Sequence, residues 1–320
     1  MKRRELVLGM VFSLAAPPAL AQPRPVKVGM LMARANSSFT PVIVKRLAEL
    51  GYRERTGMTL ELRDAGGAIE RFPKLARELI EAKCDVVFAI GTEHGARALR
   101  DARSSVPVVF LALDYDPLEK RLVDSLRRPQ GNITGVYLPN LALVVKRLEI
   151  ARDVLPGATR FLVLSDIFSK DQLEALKKAA DAGHIRLTII EFRREPYDIS
   201  AAVSKGRSES VEALILVDSP LLSQHETEIA MLLAKHRVPA VGTTPRSAER
   251  GFLVSYGADR AKAAARAAEM AAKILKGAKP ADIPVEQADE FELVVNLQSA
   301  RLLGVKIPDS VLARATQLIE

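Results

Sequence analysis

The feature that most constrains this chain is a repeating unit. A short, nearly all-apolar run ends in Gly, Asp, Ser or Thr, and a segment with apolar residues at helical spacing follows it. Residues 26–32 form the first run; after a polar loop at 34–38, Phe39, Val42, Ile43, Leu47 and Leu50 share one helical face and Gly51 stops the helix. Residues 59–63 end at Asp64-Ala65-Gly66-Gly67, and a helix is expected over 72–82 with Leu75, Leu79 and Ile80 inward. Residues 85–90 end at Gly91-Thr92-Glu93-His94-Gly95, read as a loop, with helical character resuming over 96–102. Residues 106–113 then lead to Asp114-Tyr115-Asp116-Pro117. A strand that is apolar on both faces must be covered on both, which means parallel strands sandwiched by helices. Right-handed crossovers place all strand-to-helix loops along one edge of such a sheet.

The unit recurs in the second half. Helices are expected over 143–154, 173–182, 199–208 and 226–236. Strands are expected over 159–164, ending at Ser165-Asp166, over 186–192, over 213–217, ending at Asp218-Ser219-Pro220, and over 238–241, ending at Gly242-Thr243-Thr244. A strand over 253–257, an Ala-rich helix over 261–275, the segment 291–296 and helices over 299–303 and 310–319 complete the reading. At about 150 residues per domain, 320 residues suggest two bodies, each able to bury its own core. The fold class expected is α/β: two doubly wound, Rossmann-like lobes. With no low-complexity linker between them, they imply a hinge and a cleft. Ligands in such sheets sit beyond the carboxyl ends of the strands.

Composition excludes several other classes. With 48% hydrophobic and 27% charged residues the chain is not a disordered one. Lys and Arg number 47 against 39 Asp and Glu, but they are scattered among acids rather than blocked with aromatics, so no nucleic-acid partner is expected. Cys84 stands alone, which excludes an internal disulfide and a Cys-based zinc cluster. At the N-terminus Lys2, Arg3 and Arg4 precede an apolar run over 6–16 and a small-x-small site, Ala19-Leu20-Ala21. This is a signal-peptide pattern, with cleavage expected after Ala21 and export to the periplasm. The run falls short of the roughly 20 residues a membrane span requires. Arg3-Arg4 also resembles a twin-arginine signal, so the export route stays open.

The order of segments resembles a known family. The residues that carry the likeness are Leu47-Ala48-Glu49-Leu50-Gly51-Tyr52, Val108-Val109-Phe110 with Asp116-Pro117, and Gly131-Asn132-Ile133-Thr134-Gly135. To these are added Ser255-Tyr256-Gly257, Ile274-Leu275-Lys276-Gly277 through Pro284-Val285-Glu286-Gln287, and Phe291-Glu292-Leu293-Val294-Val295-Asn296-Leu297. Together they resemble the periplasmic substrate-binding proteins of ABC transporters with a type I fold, in the group that includes tryptophan- and other amino-acid-binding members. The resemblance implies a monomeric receptor, without cofactor, that captures a small-molecule ligand between lobes and delivers it to an ABC permease in the inner membrane. It implies lobes of residues 26–136 plus 257–291 and of residues 137–256 plus 292–320. Two departures stand out. Ser165-Asp166-Ile167-Phe168-Ser169 replaces a common Asn-Pro-containing loop, and the bulky Glu93 and His94 stand where small residues are common.

A zwitterionic ligand needs donors for its carboxylate and an acceptor for its ammonium. Ser37 and Ser38, Gly91 and Thr92, and Thr243 precede helices, whose free N–H groups attract an anion; each alone is more often an ordinary cap, and it is their convergence on one edge that points to a ligand. Asp64, Asp114, Asp116, Asp166 and Asp218 all fall just past strand ends, where a helix N-cap or a solvated loop acid is the commoner role; among them Asp114 and Asp218 are preferred as ammonium partners. Tyr115, Tyr137, Phe168 and Tyr256 are placed to stack on a ligand or to pack at the hinge. Nucleotide-loop, nucleophile-elbow and zinc-protease motifs are missing, and the four histidines are dispersed, with only His94 at the presumed cleft. No enzyme activity and no metal are expected. A ligand-sensing module for a membrane signalling partner is the alternative, and a secreted α/β enzyme acting through Asp114, Asp218 or His94 ranks third.

Overall fold

The computed structural model describes residues 24–35, 38–113 and 115–320. The expected signal segment 1–21, Ser37 and Asp114 lie outside the described residues. The chain begins with β1 (Val26–Met32), α1 (Phe39–Glu49), β2 (Met58–Asp64), α2 (Phe72–Glu81), β3 (Val86–Gly91), α3 (Glu93–Asp101), β4 (Val108–Ala112) and β5 (Ile133–Tyr137). It continues with α4 (Asn140–Val154), β6 (Arg160–Asp166), α5 (Lys170–Ala182), β7 (Arg186–Phe192), α6 (Ile199–Ser208), β8 (Ala213–Leu216), α7 (Glu226–Lys235), β9 (Ala240–Gly242), α8 (Pro245–Glu249) and β10 (Val254–Ala258). The last elements are α9 (Arg260–Leu275), β11 (Glu286–Gln287), β12 (Phe291–Asn296), α10 (Leu297–Leu303), α11 (Asp309–Leu312) and β13 (Gln317–Ile319). Among the described residues no helix is long and apolar enough to cross a membrane.

The strands sort into two sheets, β11-β5-β4-β3-β1-β2 and β13-β12-β10-β9-β8-β6-β7. Every pairing in the first is parallel. Its central strands β3 and β4 are buried at every residue, because helices cover both faces. Val28, Met30 and Met32 of β1 point to one side, where Ile43 and Leu47 of α1 and the alanine face of α9 (Ala264, Ala267, Ala268, Ala271) pack. Leu31 points the other way, onto Phe72 and Leu79 of α2. Each fully buried Leu or Phe contributes about 2 kcal/mol. The small residues of α9 let it lie close against α1. The result is the α/β architecture with two parallel-dominant sheets that the sequence pattern implies.

Three segments differ from expectation. The second sheet holds one antiparallel pair, β10 with β12, in register from Val254↔Val295 to Ala258↔Phe291. The cause is topological: β10 runs toward the other lobe and β12 comes back from it. The helix expected over 310–319 is instead the short α11 plus β13, which adds parallel to β12, with Thr316 donating its N–H to the Leu293 carbonyl at 2.8 Å. Only Val311 of α11 is buried, so the open sheet edge offers that segment more than a helix would. Finally, Glu93 and His94 belong to the first turn of α3 rather than to a loop, since Thr92 is extended and Glu93 suits a helix N-terminus.

The chain passes between sheets at three places. It leaves the first after Tyr137, which pairs with Ala112. It returns after Ala258 with α9, and it crosses again between β11, paired with β5, and β12, paired with β10. The connectors are bonded to one another: Ala288 donates its N–H to Tyr137 at 2.8 Å and Asp259 donates its own to Glu290 at 2.9 Å.

Candidate functional site

Where the carboxyl ends of the two sheets meet, a cavity of about 50 Å³ is lined by Arg34, Ser38, Phe39 and Gly91 from the first lobe, Asp218, Ser219 and Pro220 from the second, and Arg260. Asp218 follows β8 and is buried. Gln172 of α5 fixes its backbone twice, the side-chain amide accepting from the Asp218 N–H at 3.0 Å and donating to its carbonyl at 2.8 Å. Its Oδ2 accepts from Asn140 Nδ2 at 2.8 Å and from Arg260 Nη2 at 2.5 Å. Asn140 begins α4 and also donates to the Leu113 carbonyl. Because Arg260 opens α9, which packs on the first lobe, the Asp218–Arg260 ion pair joins the two lobes. The guanidinium carbon of Arg260 lies 5.8 Å from the centroid of the Phe39 ring, a cation–π contact.

Behind this pair stands Arg147 of α4, wholly buried. Its Nε donates to the Tyr256 carbonyl at 2.8 Å, while Nη1 and Nη2 have no hydrogen-bond partner among the described residues. Burial lowers its pKa to about 10, Asp218 opposing that shift and Arg260 adding to it, so it is charged at neutral pH. Gly257 is required beside it, since a Cβ there would lie 2.0 Å from the Thr243 carbonyl.

The expected site residues divide into groups. Ser38, Gly91 and Asp218 line the cavity together. Gly91 has φ +98°, and Pro220 of the opposite lobe approaches to 3.6 Å of the position a Cβ would take. Thr92 is next to it, with its hydroxyl buried and without a hydrogen bond among the described residues. Asp64 ties two loops of the first lobe together, accepting from the N–H groups of Ala35 at 3.1 Å and Gly66 at 2.7 Å. Asp166 braces its own lobe, accepting from the Phe168 N–H at 2.9 Å, from Ser169 and Tyr197, and from Ser219. Burial pushes the Asp166 carboxyl pKa up and those donors pull it back. The remaining aromatics lie apart from the cavity. Tyr137 donates to Gln287 Oε1 at 2.7 Å and Tyr256 packs near Phe291, both at the crossings. Thr243 is buried after β9 with its N–H directed to Ser247 Oγ. Tyr115 is buried against Phe110.

A second cavity, of about 240 Å³, is lined by Ile69, Glu93, His94, Tyr115 and Lys120 of one lobe and Ile167, Phe168, Lys170 and Asp171 of the other. Lys120 meets Asp171 across it at 2.6 Å, and on another side Arg34 pairs with Glu195. The His94 ring sits 6.1 Å from both Phe72 and Phe168, and burial lowers its pKa below the ordinary imidazole value.

Sequence reasoning missed Arg260, Asn140, Arg34 and Arg147. For Arg260 a signal existed: a cation on the first residue of a helix opposes the helix dipole and therefore needs another reason to stand there. Burial pushes the Cys84 thiol up to about 11, which leaves it protonated. Among the described residues no group of three or more His, Cys, Asp or Glu is gathered to hold a metal ion.

Comparison with known proteins identifies the family. The "Tyrosine-binding protein" of Clostridioides difficile (strain R20291) is 25% identical over 271 residues, 82% of this chain and 75% of that one. A conserved domain protein from Vibrio cholerae superposes with a TM-score of 0.78 at 26% identity, covering 92% of this chain and 99% of its own. An ABC domain from Streptococcus pneumoniae, solved in complex with L-Trp, gives 0.77 at 25% identity, covering 92% and 100%. Residues 37–319 match the family model described as ABC transporter substrate binding protein. Fold, paired sheets and matched residues together make this chain a member of the ABC transporter substrate-binding protein family.

Proposed function

We propose that the chain is a periplasmic receptor of an ABC importer that captures an amino acid between its lobes and catalyses no reaction. The observation that carries this reading is the Asp218–Arg260 pair, an acid from one lobe and a base from the other at the lining of one cavity. A zwitterion entering there replaces each partner: its ammonium goes to Asp218, and its carboxylate goes to Arg260 and the free N–H groups at the start of α3 beside Thr92. Both charges of the pair then keep a counter-ion, which a buried charge requires. A cavity of about 50 Å³ is smaller than an amino acid, so entry requires the lobes to part and close again around the guest. Sheet membership supports lobe boundaries one or two residues beyond those expected, after Tyr137 and after Ala258, with β12 opening the return. The relatives named for tyrosine and solved with L-Trp favour an aromatic solute.

The chain contains no tryptophan, so the fluorescence of added L-Trp reports binding without background. Binding is expected, together with a raised unfolding temperature. Asp218→Asn and Arg260→Gln should each weaken it at least about tenfold, or about 1.4 kcal/mol. If neither fluorescence nor unfolding responds to any amino acid, the receptor reading fails.

A further inference from the structure

The second cavity bears on which solute is taken, and the inference rests on the receptor reading above. The two cavities are neighbours along both walls. In the first lobe Gly91 lines one and Glu93 and His94 line the other, with Thr92 between them, its hydroxyl unbonded among the described residues. In the second lobe Ser219 lines one and Phe168 the other, and the Ser219–Asp166 hydrogen bond connects those loops. A solute whose charged head lies between Asp218 and Arg260 can send its side chain past Thr92 into this cavity; the other way out, past Ser38, Ser223 and Arg260, leads to a pocket lined largely by charged and polar side chains that suits a ring less well.

At about 240 Å³ the second cavity has room for an aromatic ring. Phe168 and Tyr115 supply flat apolar walls, and the His94 ring stands at 66° to the Phe168 ring. Neither ring nitrogen of His94 makes a hydrogen bond among the described residues. Held neutral by burial, the imidazole offers one N–H and one lone pair. We propose that this cavity is the side-chain subsite of the same solute, and that His94 selects rings carrying a hydrogen-bonding group, an indole N–H or a phenol hydroxyl, over a plain phenyl ring. A site equipped with a polar partner rejects the analogue that leaves it unpaired.

The test compares L-Trp, L-Tyr, L-Phe and L-Ser on the wild type and on His94→Phe, His94→Gln and Phe168→Leu, with folding of each variant checked by its thermal transition. The wild type should bind L-Tyr and L-Trp at least about tenfold tighter than L-Phe. His94→Phe should erase that ratio by raising L-Phe affinity, whereas His94→Gln, which keeps a donor and an acceptor, should preserve it. Phe168→Leu should weaken the aromatic solutes and leave L-Ser unchanged. A folded His94→Phe protein with the wild-type ratio overturns the proposal, as does a wild type that treats L-Tyr and L-Phe alike. Binding of L-Ser without any aromatic overturns it while leaving the receptor reading intact; binding of none removes both.

Discussion

Asp218 receives a donor from each lobe on a single oxygen, and this convergence depends on residues that cannot be exchanged for bulkier ones. Gly257 is the strictest of them. A methyl group 2.0 Å from the Thr243 carbonyl forces the strand ends apart, so Gly257→Ala should cost about 3 kcal/mol, read as a lower denaturant midpoint. His94 gives a pH signature. Its folded pKa lies below the ordinary value of 6.5, so the unfolded chain binds a proton before the folded chain does. Stability present above about pH 6.5 is therefore lost as pH falls through the folded value. His94→Phe removes this term, and unfolding titrations at a series of pH values should show the variant losing less stability on acidification than the wild type. Arg147 illustrates what a sequence hides. An arginine in an amphipathic helix reads as a solvated residue, yet this one is wholly buried, and nothing in its neighbours' spacing announces the Tyr256 carbonyl it holds.

At the scale of elements, α9 brings the chain back to the first lobe and presents Arg260. Its N-cap, Asp259, accepts from the Lys262 N–H at 2.9 Å. Asp259→Ala should cost about 1 kcal/mol in chemical denaturation, and by loosening the first turn that carries Arg260 it should also weaken solute binding. Most elements were legible because a continuous apolar run has only one use in an α/β layer, as β3 and β4 show. What periodicity does not encode is the backbone partner. The segment after Val311 carries apolar residues that suit a helix, but the free edge of β12 was waiting, and that edge lies outside any window of local sequence. For the same reason the reversed direction of β12 follows only from knowing that the chain has crossed and come back. The carboxylates past strand ends read alike in the sequence. Their division between loop bracing, as for Asp64 and Asp166, and exposure to the cavity, as for Asp218, depends on which nearby N–H and O–H groups each one captures.

For the whole molecule, the lobes are held together by ion pairs of unequal depth. Arg260–Asp218 is buried on the acid side, while Lys120–Asp171 and Arg34–Glu195 are partly open to water. Exposed pairs are each worth about 1 kcal/mol or less and are screened within a Debye length of about 8 Å at physiological salt. Raising salt to about 1 M, where that length falls to about 3 Å, should loosen the outer two and leave the inner one. Small-angle scattering on the solute-free protein should then record a larger radius of gyration, and Lys120→Ala with Arg34→Ala should reproduce the change at low salt. The connectors set what kind of loosening is possible. Since Tyr137, Ala288, Asp259 and Glu290 are stitched to one another, the passages between halves behave as one strap rather than as three independent threads. A strap of that kind bends like the spine of a book: the covers can swing apart, but they resist sliding or being wrung. On the receptor reading proposed above, a guest between the pages would meet the same facing residues each time the book shut.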